Sequence, residues 1–219
     1  MTHPALLRLL LLMSPSFPVG GFAYSSGLEQ AVAERLLVDA DGLEDWLRAI
    51  IERGPVWNDA VLMAQAHKLV AAGDAINELV VFAEALAGSK ERLMEQQNLG
   101  AAFIEAVRAS GLGLPATLCD GLAYPIAVGT IAAGQELDRG STLTAYLHGV
   151  TSNQIQCAIR LGVLGQNAGV ALLAKLEQTI LQTAEAASNS TLDDLGSSAI
   201  MAEIMNMRHE TLHSRIFRT

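Results

Sequence analysis

The 219-residue chain has few of the features that mark chemistry. It holds no G-x-x-x-x-G-K-[ST] phosphate loop, no G-x-G-x-x-G after a strand and no G-x-S-x-G nucleophile elbow, so the usual nucleotide and hydrolase signatures are absent. Its two cysteines, Cys119 and Cys157, lie far apart in no C-x-x-C pair. They read as small buried hydrophobes in a reducing compartment, which points to the cytoplasm. Basic residues are the scarcer charge: the net charge is −9 and the isoelectric point near 4.9. That balance argues against nucleic acid or an anionic membrane as the main partner and favours a basic protein surface. Charged residues make up only 17% of the chain against 51% hydrophobic, more apolar surface than one small core hides, and oligomerisation is expected. No stretch approaches the roughly 20 apolar residues that span a membrane. The opening MTHPALLRLLLLMSPS resembles a signal peptide only superficially, since no Lys or Arg precedes the apolar run and Arg8 interrupts it. Residues 4–13 read instead as a short helix with buried leucines.

What is present is helix. Leu43, Trp46, Leu47, Ile50 and Ile51 recur at helical spacing after a cap formed by Asp41 with Glu44, and Gly54-Pro55 ends the run. Further helices are predicted over 28–37, 57–72, 74–87, 89–110, 141–161 and 166–187, each stopped by glycine or opened by Asp or Ser. Val128 to Ile131 has strand character but is too isolated to build a sheet. Residues 188–196, Ser-Asn-Ser-Thr-Leu-Asp-Asp-Leu-Gly, read as a mobile polar linker before a last helix and a tail over 207–219. The fold class is all-α: a single globular domain over 1–219, of about ten helices with short connections.

Against that background, residues 14–29 stand out. This segment, SPSFPVGGFAYSSGLE, gathers two of the six prolines, three of the nineteen glycines and three of the eight Phe and Tyr residues. Pro15 and Pro18 fix φ and remove donors, and Gly20-Gly21 opens backbone angles closed to other residues, so the segment is a shaped loop. Phe17 and Phe22 read as plugs in the chain's own core. Tyr24 suits core or docking surface equally, because its hydroxyl needs a partner wherever the ring is buried. Glu29 stands apart from the other acidic residues, which read as solvated faces or caps, because it adjoins this loop.

One enzyme motif occurs. His209-Glu-Thr-Leu-His213 spells H-E-x-x-H, which on a helix places two imidazoles one turn apart to bind Zn²⁺ with Glu210 as general base. Residues 214–219 offer no third His, Asp, Glu or Cys, no sheet edge is predicted for a peptide substrate, and Arg208 and Arg215 flank the pair. The motif therefore carries no metal or catalytic assignment, and a zinc peptidase stands as the alternative function. His3, His67 and His148 are lone histidines without a role.

Five patches spread over the chain resemble the urease accessory protein family UreF: PVGGFAYSSGLE at 18–29, Asp59 with Leu62, AYPIAVG at 123–129, NQIQCAIRLGVLGQNAG at 153–169, and MRHETLHSRIFRT at 207–219. Ala23 stands where the family usually has Ser, Leu212 where it has Gln and His213 where it has Tyr. The H-E-x-x-H is thus similar to a chance product of one substitution. The resemblance implies an all-α homodimer without catalytic activity or cofactor. It implies a protein that binds the accessory protein UreD, also called UreH, and in that complex recruits the nickel-carrying GTPase UreG to apo-urease. Tyr24, Ser25, Gly27 and Glu29 in the loop and Arg208, His209, Glu210, Ser214 and Arg215 in the tail match the family's interface positions. The tail is expected to order when the UreD-like partner binds. A second alternative is a helical adaptor unconnected with urease.

Overall fold

The computed structural model describes residues 2–119 and 121–219. Among them are eleven α-helices and no strand. Helix takes 69% of the chain, about twice the share of an average globular domain, which makes the fold all-α. In chain order the first helices are α1 (His3–Leu12), α2 (Leu28–Ala33), α3 (Ala40–Arg53), α4 (Pro55–Ala72) and α5 (Asn77–Ala85). They continue as α6 (Lys90–Ala109), α7 (Tyr124–Gly134), α8 (Arg139–Arg160), α9 (Gln166–Lys175), α10 (Glu177–Asn189) and α11 (Ile200–His209).

The boundaries follow local chemistry. Ser89 opens α6 by accepting the Arg92 N–H at 3.0 Å, and Asp138 opens α8 by accepting that of Ser141 at 2.7 Å. Pro55 sits in the first turn of α4, where its missing N–H has no helical partner to lose, and Gly73 closes the helix at φ +81°. Three expectations need correction. The cap of α3 is Asp39, whose extended backbone brings its carboxylate 2.9 Å from the Gly42 N–H, and not Asp41. The helix expected over 166–187 is two, because the chain turns at Leu176 and buries that side chain completely. In α1 only Leu9 and Leu12 are buried, while Leu7 and Leu10 are 68% and 58% exposed, because the helix packs along one edge.

The centre of the molecule is α7. Every residue from Pro125 to Ala132 is buried, so the Val128–Ile131 patch is a helix apolar all round, as a core helix must be. It is sandwiched between α4 and α6, and α3, α8 and α10 pack around α4. The approach of α7 to α4 needs a bare backbone at Gly129: a Cβ there would lie 2.3 Å from the Met63 carbonyl oxygen. An aromatic row runs through this core, Phe17 to Phe103 to Tyr124 to Tyr146, with successive ring centroids 5.5, 5.6 and 5.6 Å apart.

The 188–196 segment lies along α4. Gln65 and Lys68 donate to the Ser190 carbonyl at 2.7 and 2.6 Å, the Trp57 indole donates to the Asp194 carbonyl, and the Gly196 N–H donates to Asn58. Thr191 and Asp194 form a capping box around one 3-10 turn. Among the described residues no helix is long and apolar enough to cross a membrane.

Candidate functional site

Residues 14–29, which carry the Phe17 end of the aromatic row, meet residues 209–219 at a folded junction. Both sequence patches singled out for function are in it, joined edge to edge. The Arg218 N–H donates to the Ala23 carbonyl at 2.8 Å and the Ser25 N–H to the Thr219 carbonyl at 2.8 Å; the Ser25 hydroxyl donates to the same Thr219 oxygen. Beneath these main-chain bonds lie two buried charged groups.

The first is centred on His209. Its imidazole is fully buried, with Nδ1 2.8 Å from Glu91 of α6 and Nε2 3.1 Å from Glu29 of α2. Glu29 also accepts the backbone N–H groups of Ile216 and Phe217 at 2.7 and 3.0 Å. Glu91 accepts from the Arg215 guanidinium at 2.6 Å. Two carboxylates thus face one imidazole and one guanidinium, and every oxygen of both carboxylates has a partner. Balanced pairing of this kind is what allows carboxylates to remain in an interior.

The second group lies one helical turn along α6. Glu95 accepts from the hydroxyls of Ser26 and Thr219 at 3.0 and 3.2 Å, and from Arg92 at 3.1 Å. Arg92 bridges to Asp59 of α4 at 2.5 Å, and the Tyr146 hydroxyl donates to that carboxylate at 3.2 Å. Against the cost of burial, Asp59 and Glu95 hold the guanidinium above its ordinary value. One guanidinium between two carboxylates leaves negative charge in excess, and burial pushes both carboxyls up from their usual range against the pull of Arg92.

The structure gives each candidate residue a position. Tyr24 is 5% exposed, its hydroxyl 3.4 Å from the Asn98 amide that donates to it, and Ser25 is fully buried. Gly27 has φ +85°, and a Cβ on it would stand 2.7 Å from the Asn206 backbone nitrogen, so glycine is what lets α11 cross this close. Glu29 and His209 are core groups, whereas Arg208, Ser214 and Arg215 lie at the surface. Arg208 pairs with Glu34 at 2.9 Å. Glu210 accepts the Lys90 N–H at the start of α6, at 3.0 Å.

The tail expected to wait for a partner is already packed on its own chain. Arg215 clamps its turn, donating to the carbonyls of Leu212 and Glu210 as well as to Glu91. Phe22 also departs from expectation. It is 69% exposed while Phe17 is buried, because the Gly20–Gly21 bend turns it outward. The H-E-x-x-H reading fails on geometry: α11 ends at His209, so His213 is not one helical turn above it, and both nitrogens of His209 already face carboxylates. Among the described residues no three His, Cys, Asp or Glu side chains converge as metal ligands would.

Sequence reasoning missed Glu91, Arg92, Glu95 and Arg160. The first three stand in a run, SKERLMEQQ, that looks like a solvated helix face. Arg160 of α8 donates to the Phe22 carbonyl at 2.5 Å and lies 4.2 Å over the Phe217 ring, tying loop to tail from the other side.

Fold and site together define an all-helical protein whose buried charges serve to hold a loop and a tail in one shaped surface. The chain belongs to the UreF family of urease accessory proteins. The UreF family profile matches residues 37–177. A urease accessory protein UreF from Rhizobium leguminosarum bv. trifolii (strain WSM2304) is 48% identical over 215 residues, covering 98% of this chain and 96% of that one. One from Rhizobium etli (strain CIAT 652) is 46% identical over the same shares. The urease accessory protein UreF 1 of Brucella suis biovar 1 (strain 1330) is 46% identical over 98% of this chain and 94% of its own.

Proposed function

We propose that this chain is a non-catalytic, cytoplasmic maturation factor that works as a homodimer. In this reading it binds a UreD/UreH-like accessory protein and, in that complex, recruits a UreG-like GTPase to apo-urease, so that GTP hydrolysis is coupled to delivery of nickel as cargo. The observation that carries the reading is the junction of loop and tail. Tyr24, Ser25, Gly27, Glu29 and His209 shape it from within, and Arg208, Glu210, Ser214 and Arg215 occupy its outer side. A surface assembled from segments at opposite ends of the chain, and held by ion pairs in the interior, is preorganised, which lowers the entropy cost of binding.

Co-expression with the UreD-like and UreG-like proteins of the same source tests this. The three are expected to purify as one complex that raises urease activity in cells supplied with nickel. Separate elution of all three, with urease activation unchanged when this chain is left out, would rule the reading out.

A further inference from the structure

In the second buried group, the hydrogen bonds to the two carboxyls are distributed unevenly. Glu95 has donors on both oxygens: the Ser26 hydroxyl and Arg92 reach Oε1 at 3.0 and 3.1 Å, and the hydroxyls of Ser26 and Thr219 reach Oε2, each at 3.2 Å. An ionised carboxylate in an interior is satisfied in this way. Asp59 is different. Arg92, Tyr146 and Gln96 all donate to its Oδ2, and among the described residues no donor reaches Oδ1. The side chain is only 7% exposed, and it stands in the wall of a cavity of about 70 Å³ between α4, α6 and α11 that Asn58, Gln96 and Asn206 also line.

A carboxyl with one oxygen crowded by donors and the other bare has the pattern of a carboxylic acid, in which one oxygen accepts and the other carries an O–H. The charges agree with that pattern. With Asp59 ionised, two buried carboxylates share the single positive charge of Arg92; with Asp59 neutral, the group sums to zero. The other titratable groups around Asp59 are Tyr146 from α8, which burial keeps neutral, and Glu84 from α5 and Glu203 from α11 across the cavity. None of these adds a cation, and among the described residues α3 and α10 bring no charged side chain to the cavity.

We propose that Asp59 is a proton-binding site in the native protein at neutral pH: Oδ1 carries the proton, and Arg92 serves Glu95 as its one counter-charge. Neither the site nor its proton depends on which partner the chain binds. Burial pushes both carboxyls upward, and of the two Asp59 is the one whose hydrogen bonds leave room for an O–H. The consequence reaches the junction, because Glu95 holds Ser26 of the loop and Thr219 of the tail. Loss of the proton places a second negative charge beside Glu95 and divides Arg92 between the two. The seam between loop and tail is therefore expected to loosen as pH rises.

Urea unfolding of the full chain, wild type against Asp59→Asn, counts the proton. Asparagine keeps the shape of the neutral acid and cannot ionise. A carboxyl raised in the folded state contributes stability that is present below its unfolded value and lost as pH rises through the folded one. Unfolding of the wild type releases the extra proton, so between about pH 5 and 7 its folding equilibrium constant is expected to fall roughly tenfold per pH unit relative to Asp59→Asn. Curves that stay parallel would overturn the proposal, leaving Asp59 ionised with its bare oxygen served by cavity water. Carbon-13 spectra of the wild type at neutral pH read the same proton without any variant, each carboxyl carbon being assigned through its neighbouring methylene protons. The Asp59 carbon is expected at the upfield position of an acid and that of Glu95 at the downfield position of a carboxylate. Both carbons at carboxylate positions, or the reverse assignment, would overturn the site.

Discussion

The imidazole of His209 lies 3.1 Å from the carboxylate of Glu29, which comes 180 positions earlier in the chain. The contact closes the molecule: α2, α6, α11 and the tail meet at one buried ring, and the loop that precedes Glu29 takes its shape from a segment at the far end of the sequence. A change at either end is therefore a change in the other.

Replacing the ring exposes this most simply. His209→Ala leaves Glu29 and Glu91 buried and each short of one hydrogen-bond partner, and leaving a buried polar group unsatisfied costs about 1 to 3 kcal/mol. Urea unfolding is expected to move to a lower midpoint by that amount with an unchanged slope. A loss below about 1 kcal/mol would mean that the group is solvated in the native state.

A pH-dependent difference is expected at Asp138. The Ser141 N–H and hydroxyl hold its carboxyl below the ordinary value of 3.8, so the folded state favours the ionised form. A depressed carboxyl contributes stability that is present above the unfolded value and lost as pH falls through the folded one. Asp138→Ala is expected to cost about 1 kcal/mol at neutral pH, the usual worth of a helix cap. That gap is expected to close below pH 3.8, followed by thermal unfolding of both proteins through the acid range. A gap that stays constant into acid would assign the effect to packing.

Burial pushes the Cys157 thiol up to about 11, the side chain lying fully buried under the Tyr24 carbonyl. Thiolate is the reactive form, so iodoacetamide at neutral pH is expected to leave Cys157 unmodified in the native protein and to label it in urea. Mass spectrometry of the tryptic peptide reads the result. Native labelling would show that the loop opens above α8.

Much of the fold was legible because helix signals are local. Ser89, Gly73 and the periodic stripe from Leu43 to Ile51 each act within a few residues of themselves, and each is where the sequence put it. The site was legible only as two separate patches. Nothing within a few residues of Glu91 or Glu95 tells that they are buried, since Glu-x-x-x-Glu on a helix looks the same whether water or His209 faces it. Phe22 and Phe17 are likewise indistinguishable by composition, and only the bend between them decides which ring goes inside. Arg215 was placed on a free tail because its three acceptors, Glu91, Leu212 and Glu210, come together only once the chain has folded back.

The central claim is that loop and tail act as one site, and a double-mutant cycle tests it most directly. Binding of the UreD-like protein would be measured by titration calorimetry for wild type, Glu29→Gln, Arg215→Gln and the double variant. If the two residues hold one surface through His209 and Glu91, the double variant binds no worse than the weaker single, giving a coupling of about 0.5 to 3 kcal/mol. Losses that add to within about 0.5 kcal/mol would show two independent patches and contradict the account.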